Sequence, residues 1–87
     1  MIELNTLQIQ ILRALLFPEP FDTLVEEIKE REPVIGAELK FLIDKSLVLS
    51  MEEMPNGSFK PSIFYDSDNM RAFRYQISAK GLQHLEE

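Results

Sequence analysis

A chain of 87 residues is enough for one domain, and 45% hydrophobic with 28% charged residues excludes wholesale disorder. The absence of cysteine excludes disulfides and thiolate metal centres, and a net charge of −6 opposes tight phosphate binding, which rests on Lys and Arg displacing counterions. No apolar run approaches the roughly 20 residues that cross a bilayer, and Met1 to Asn5 has neither part of a secretory signal, so a cytoplasmic protein away from membranes is expected.

Asn5-Thr6-Leu7-Gln8 predicts a helix start, with Asn5 as cap and Gln8 reaching back to it as in a capping box. Leu7, Ile11 and Leu15 form one apolar row and Ile9, Leu12 and Leu16 the next. Pro18 stops that helix, and Pro18-Glu19-Pro20 is an extended connector. Asp22 is the expected cap of a second helix, in which Phe21, Leu24, Val25 and Ile28 recur at i, i+3, i+4 and i+7. Glu27 and Arg31 are spaced for an ion pair on its wet side. This helix should fade near Glu32, because Pro33 disfavours helical geometry in the residue before it. Pro33 suits the first turn of a third helix with Ile35, Leu39, Leu42 and Ile43 as its buried stripe. Ser46 ends it, where glycine is the commoner residue.

From Leu47 the period becomes two, with Leu47, Leu49 and Met51 on one face and Ser50 and Glu52 on the other. Pro55-Asn56-Gly57-Ser58 is a hairpin turn, Pro61 argues against a central strand, and Asp66-Ser67-Asp68-Asn69 is a second turn cluster. Phe73, Tyr75 and Ile77 predict a strand set against the one that starts at Leu47, the two together covering helices one and three. Ser78 then caps a short last helix carrying Leu82 and Leu85. The order predicts an α+β fold: a winged helix-turn-helix with a three-helix core, a long β-hairpin wing and a short C-terminal helix. One domain spans 1–87, with the helix-turn-helix at about 22–46 and the wing at about 47–77.

Two stretches carry a family resemblance. Leu39-Lys40-Phe41-Leu42-Ile43-Asp44-Lys45-Ser46-Leu47-Val48 resembles a winged-helix recognition helix running into its first wing strand. Phe73-Arg74-Tyr75-Gln76-Ile77-Ser78-Ala79-Lys80-Gly81-Leu82-Gln83-His84-Leu85 resembles the close of the wing in PadR-like and MarR-like transcriptional regulators. There an aromatic strand ends in Ser or Thr, and Lys-Gly opens the next helix. The resemblance covers nearly the whole chain and implies a transcription-regulator type of module, although the fold also serves in protein interaction. The chain departs from those families at Ser46, where they usually have glycine, and in having no long dimerisation helix after Leu85.

Nothing in the sequence assembles a catalytic or metal site, and no enzyme activity, cofactor or metal is expected. His84 is a lone histidine, and the Asp66-Ser67-Asp68 start of a calcium-type loop is followed by Met70, Arg71 and Ile77 where ligands and glycine are required. Glu26 and Glu30 lie one turn apart on a wet helix face, the place of solvated charges, and Gly36 fits a helix's first turn as a packing residue. For DNA the distribution of charge matters more than the total. Residues 22–53 hold nine acids against four bases, whereas residues 54–77 hold three bases against two acids. Lys40, Lys45, Lys60, Arg71 and Arg74 are therefore the candidate DNA contacts, weak and led by the wing. Val34, Ala37 and Phe41 point off the buried stripe of the third helix. They form either a contact patch for a protein partner or a second copy, or, at Phe41, a side chain covered by the wing.

Overall fold

The computed structural model describes residues 3–62 and 68–86. These form four α-helices and a four-stranded antiparallel sheet, in the order α1 (Thr6–Ala14), β1 (Glu19–Pro20), α2 (Phe21–Ile28), α3 (Glu32–Asp44), β2 (Val48–Glu53), β3 (Phe59–Pro61), β4 (Arg74–Ile77) and α4 (Ala79–Glu86). A single 3₁₀ turn, Met70–Ala72, precedes β4. The sheet runs β1-β4-β2-β3. No described helix is long and apolar enough to cross a membrane.

The capping box that opens α1 forms as the sequence predicts: the Gln8 N–H donates to Asn5 Oδ1 at 2.8 Å, and the Asn5 N–H donates to Gln8 Oε1 at 2.9 Å. The helix ends earlier than Pro18 requires. The Leu15 carbonyl accepts the Ile77 N–H of β4 at 2.8 Å, so the chain leaves the helix to join the sheet, and Leu16 is 47% exposed rather than buried. Within the connector Pro18-Glu19-Pro20, Glu19 and Pro20 form the edge strand β1, with Glu19 opposite Tyr75 and Pro20 opposite Arg74.

α2 starts at Phe21 without a side-chain cap. Asp22, expected in that role, lies inside the first turn and pairs with Arg71 instead. Lys29 adopts the left-handed conformation (φ 59°), and its N–H reaches the Val25 carbonyl at 3.0 Å, ending α2 before Arg31. The expected Glu27–Arg31 pair is not formed, because Arg31 is the cap residue of α3 and has left the helical i, i+4 relation. Helix formation therefore resumes at Glu32 rather than fading there, with Pro33 in the first turn of α3.

α3 ends in a Schellman motif. The Leu47 N–H reaches the Leu42 carbonyl at 2.9 Å and the Ser46 N–H reaches the Ile43 carbonyl at 3.0 Å, with Ser46 left-handed at φ 63°. Leu42 and Leu47 are both fully buried, which supplies the apolar contact this motif brings with it. Because Leu47 belongs to the motif, the strand begins one residue later. Val48 and Ser50 face the helices, opposite Ile77 and Tyr75, while Leu49 and Met51 lie on the other face opposite Gln76 and Arg74. The expected single face of Leu47, Leu49 and Met51 is thus corrected, and Leu49 is 38% exposed.

The hairpin turn after β2 places Pro55 and Asn56 between the Met54 carbonyl and the Gly57 N–H (2.9 Å), with Gly57 at φ 88°. β3 returns as an edge strand through Pro61. Asp66 and Ser67 of the second turn cluster lie outside the described residues. β4 stands next to β2 as predicted, starting at Arg74 rather than Phe73, and Tyr75 is fully buried with its hydroxyl donating to the Met70 carbonyl at 2.6 Å. Ile11, Leu12, Leu15, Leu24, Ile35 and Leu39 of the three helices meet Val48, Tyr75 and Ile77 of the sheet in one core.

The Ser-Ala-Lys-Gly stretch fastens α4 to the corner between α3 and β2. The Ser78 N–H donates to the Leu47 carbonyl (3.0 Å), Ser78 Oγ donates to the Ser46 carbonyl (2.6 Å) and accepts the Gly81 N–H (3.0 Å). Lys80 Nζ donates to the Lys45 carbonyl at 3.1 Å, placing a cation at the negative end of α3. A Cβ at position 81 would lie 2.4 Å from the Leu47 carbonyl oxygen and 2.7 Å from Ile77 Cγ1, so only glycine admits this approach. Leu85 packs against the core, whereas Leu82 stays 40% exposed.

Candidate nucleic-acid interface

The outer side of α3 forms one wall of an open cleft of about 430 Å³. Pro33, Gly36, Ala37 and Lys40 line it from the helix, and Asn69, Met70 and Arg71 line it from the segment leading into β4. Phe21 and Glu32 also line it, from the starts of α2 and α3. Two of the five candidate cations, Lys40 and Arg71, meet here.

Arg71 is not free to offer its charge outward. Its Nε lies 2.5 Å from Asp22 Oδ1, its Nη2 binds Glu32 Oε1, and its guanidinium carbon is 5.3 Å from the Phe21 ring centroid. The hydrogen bonds to Glu32 and then Asp22 hold its pKa above the usual arginine value. Asp22 and Glu32 each sit in the first turn of a helix, where the dipole favours a carboxylate. Sequence reading found Arg71 but missed its partners. They lie 49 and 39 residues away, and no local periodicity signals a pairing across that distance.

The remaining cations are dispersed. Arg74 stacks over Phe59 with its guanidinium carbon 5.0 Å from the ring centroid. It stands opposite Met51, whereas Lys60 stands opposite Glu52, the next residue of β2, so the two project from opposite faces of the sheet. Lys45 follows α3, with Nζ 5.8 Å from the Phe41 ring centroid, and its carbonyl is taken by Lys80. The interface candidates separate as well. Ala37 is exposed in the cleft wall, while Val34 and Phe41 are half-buried and Phe41 packs against the core. Phe41 is thus neither the fully exposed anchor nor the fully covered side chain that the sequence left as alternatives.

Among the described residues no group of three or more His, Cys, Asp or Glu side chains is placed to hold a metal ion. Comparison with family models, with curated proteins and with solved structures gives no match.

Proposed function

We propose that this chain is a winged helix-turn-helix module of the transcription-regulator type, cytoplasmic and non-enzymatic, whose contact with duplex DNA is weak and led by the wing. One observation carries the reading: three helices and an edge strand back onto a sheet whose β2–β3 hairpin follows α3 directly in the chain. The Ser78-to-Gly81 stretch, part of what resembles PadR-like and MarR-like regulators, docks α4 on the corner between α3 and β2. With Arg71 engaged internally, Lys60 and Arg74 are the wing cations left for phosphate. Their position on opposite faces suits a ribbon lying in a groove, with a backbone on either side.

Fluorescence anisotropy with a generic duplex tests this. The plot of log K against log salt should slope by roughly −2, at about −0.9 per phosphate contact. Nanomolar affinity that persists at physiological salt would contradict it. A second reading, a protein-docking winged helix that binds no nucleic acid, is favoured by the neutralised Arg71 and by Lys40 standing as the one base on the α3 wall of the cleft. No duplex binding at low salt, together with partner binding or self-association lost on Phe41→Ala, would establish that reading instead.

A further inference from the structure

We propose that Arg71 is an autoinhibitory latch: Asp22 and Glu32 compete with nucleic-acid phosphate for its guanidinium, and their hold keeps the 69–72 segment in front of the outer wall of α3. The inference deepens the wing-led DNA reading and rests on it. Three elements that share no local sequence meet at this one side chain: the first turn of α2, the first turn of α3 and the 3₁₀ turn before β4. The Arg fork binds carboxylate and phosphate through the same kind of N–H donors, so Asp22 on Nε and Glu32 on Nη2 compete with a phosphate for bidentate binding at that edge. The ion pairs are also open to exchange. The side chains of Arg71, Asp22 and Glu32 are 47%, 64% and 51% exposed, within reach of salt and of an incoming polyanion. Phe21 beneath the guanidinium holds its plane in place while the partners change.

The latch also has a place in the fold that matters for access. The segment it anchors is the wall of the cleft that faces Ala37 and Lys40, the exposed side of the helix a winged-helix module turns to its target. Freeing Arg71 therefore does two things: it supplies one more cation to the wing and it loosens the segment in front of α3.

The test uses the full chain and a generic DNA duplex, and compares D22N/E32Q with E26Q/E27Q, which removes the same number of charges from exposed positions of α2 that do not touch Arg71. D22N/E32Q should steepen the salt slope by about 0.9, one phosphate contact, which is an extra loss of about 3.5-fold in affinity between about 50 and 200 mM salt. E26Q/E27Q should raise affinity without changing the slope, and adding R71Q to D22N/E32Q should return the slope to that of the parent. Independently of DNA, amide exchange at Ala72, whose N–H donates to the Asn69 carbonyl at 3.1 Å, should quicken in D22N/E32Q and not in E26Q/E27Q. Duplex binding with equal slopes in the two double variants would overturn the latch and leave the wing-led reading standing. Absence of duplex binding in every variant would overturn both, and unchanged Ala72 exchange would overturn the hold on the segment.

Discussion

Replacing Ser46 by glycine should stabilise the protein. Ser46 sits at φ 63°, the left-handed residue of the Schellman motif that turns α3 into β2. That conformation costs an L-residue about 1–2 kcal/mol. Glycine escapes the cost, but its freer unfolded chain returns about 0.4–1 kcal/mol of it. No side-chain hydrogen bond of Ser46 is lost, because the contact with Ser78 runs through the Ser46 carbonyl, which glycine keeps. The net expectation for Ser46→Gly is a gain of about 0.5–1 kcal/mol, or a rise in Tm of roughly 3–6 °C for a domain of this size. Ser46→Val should fall on the other side of the parent, since a branched Cβ is least tolerated at positive φ. Thermal melts of the three proteins followed by circular dichroism measure both shifts. A Ser46→Gly protein that melts at or below the parent, or a Ser46→Val protein that melts with it, would refute a left-handed residue at this corner.

Gly81→Ala should lower stability by about 1–3 kcal/mol, because the new Cβ meets the Leu47 carbonyl, a backbone atom that can yield only if α4 lifts; an unchanged urea midpoint would show that α4 does not dock this closely. Tyr75→Phe should cost about 1 kcal/mol by leaving the Met70 carbonyl without its donor, again read from denaturant unfolding, and a neutral result would place the hydroxyl elsewhere. Phe41→Ala should fall between the limits for a surface site and an emptied aromatic core site, at about 1.5–2.5 kcal/mol. A loss outside that range in either direction would contradict the half-buried position of the ring.

Local chemistry made most of the fold legible. The capping box at Asn5 and Gln8, Pro33 in a first turn, the Asn56-Gly57 hairpin and the alternation of Phe73, Tyr75 and Ile77 each depend on neighbours a few residues apart, and each has its predicted counterpart. The errors share a cause in tertiary demand. α1 stops short because β4 takes the Leu15 carbonyl. The phase of β2 slips by one because Leu47 is held by α3, and a strand's faces exchange whenever its start moves by a single residue. α2 ends at Lys29 because a left-handed residue needs no glycine when the surroundings hold it, so the usual stop signal is missing from the sequence. The candidate site was legible as a set of cations and not as an arrangement. Lys60, Arg71 and Arg74 read alike in a charge count, yet one stands across from Glu52, one is bound by two carboxylates and one lies over an aromatic ring.

That difference decides how far a resemblance can be carried. The stretch from Ser78 to Gly81 resembles the close of a regulator's wing, and every side chain in it that the structure engages is engaged by the α3–β2 corner. Ser78 binds the Ser46 carbonyl, Lys80 the Lys45 carbonyl, and Gly81 leaves room for the Leu47 carbonyl. Such a pattern is required wherever a helix docks on this corner, whatever the outer surface binds. It therefore informs on architecture and is silent on target. Function has to be read from groups the architecture does not need, and here these are few. Among the described residues Lys40 and Lys60 pair with no carboxylate and no ring, whereas Arg71 is shared between the fold and anything that could displace Asp22 and Glu32. The helix dipoles favour Asp22 and Glu32 at these helix starts with or without Arg71, so the dipoles account for the carboxylates and not for the arginine set between them. The choice Arg71 makes between these internal carboxylates and an external phosphate is where the chain's acidic balance becomes a functional property rather than a composition.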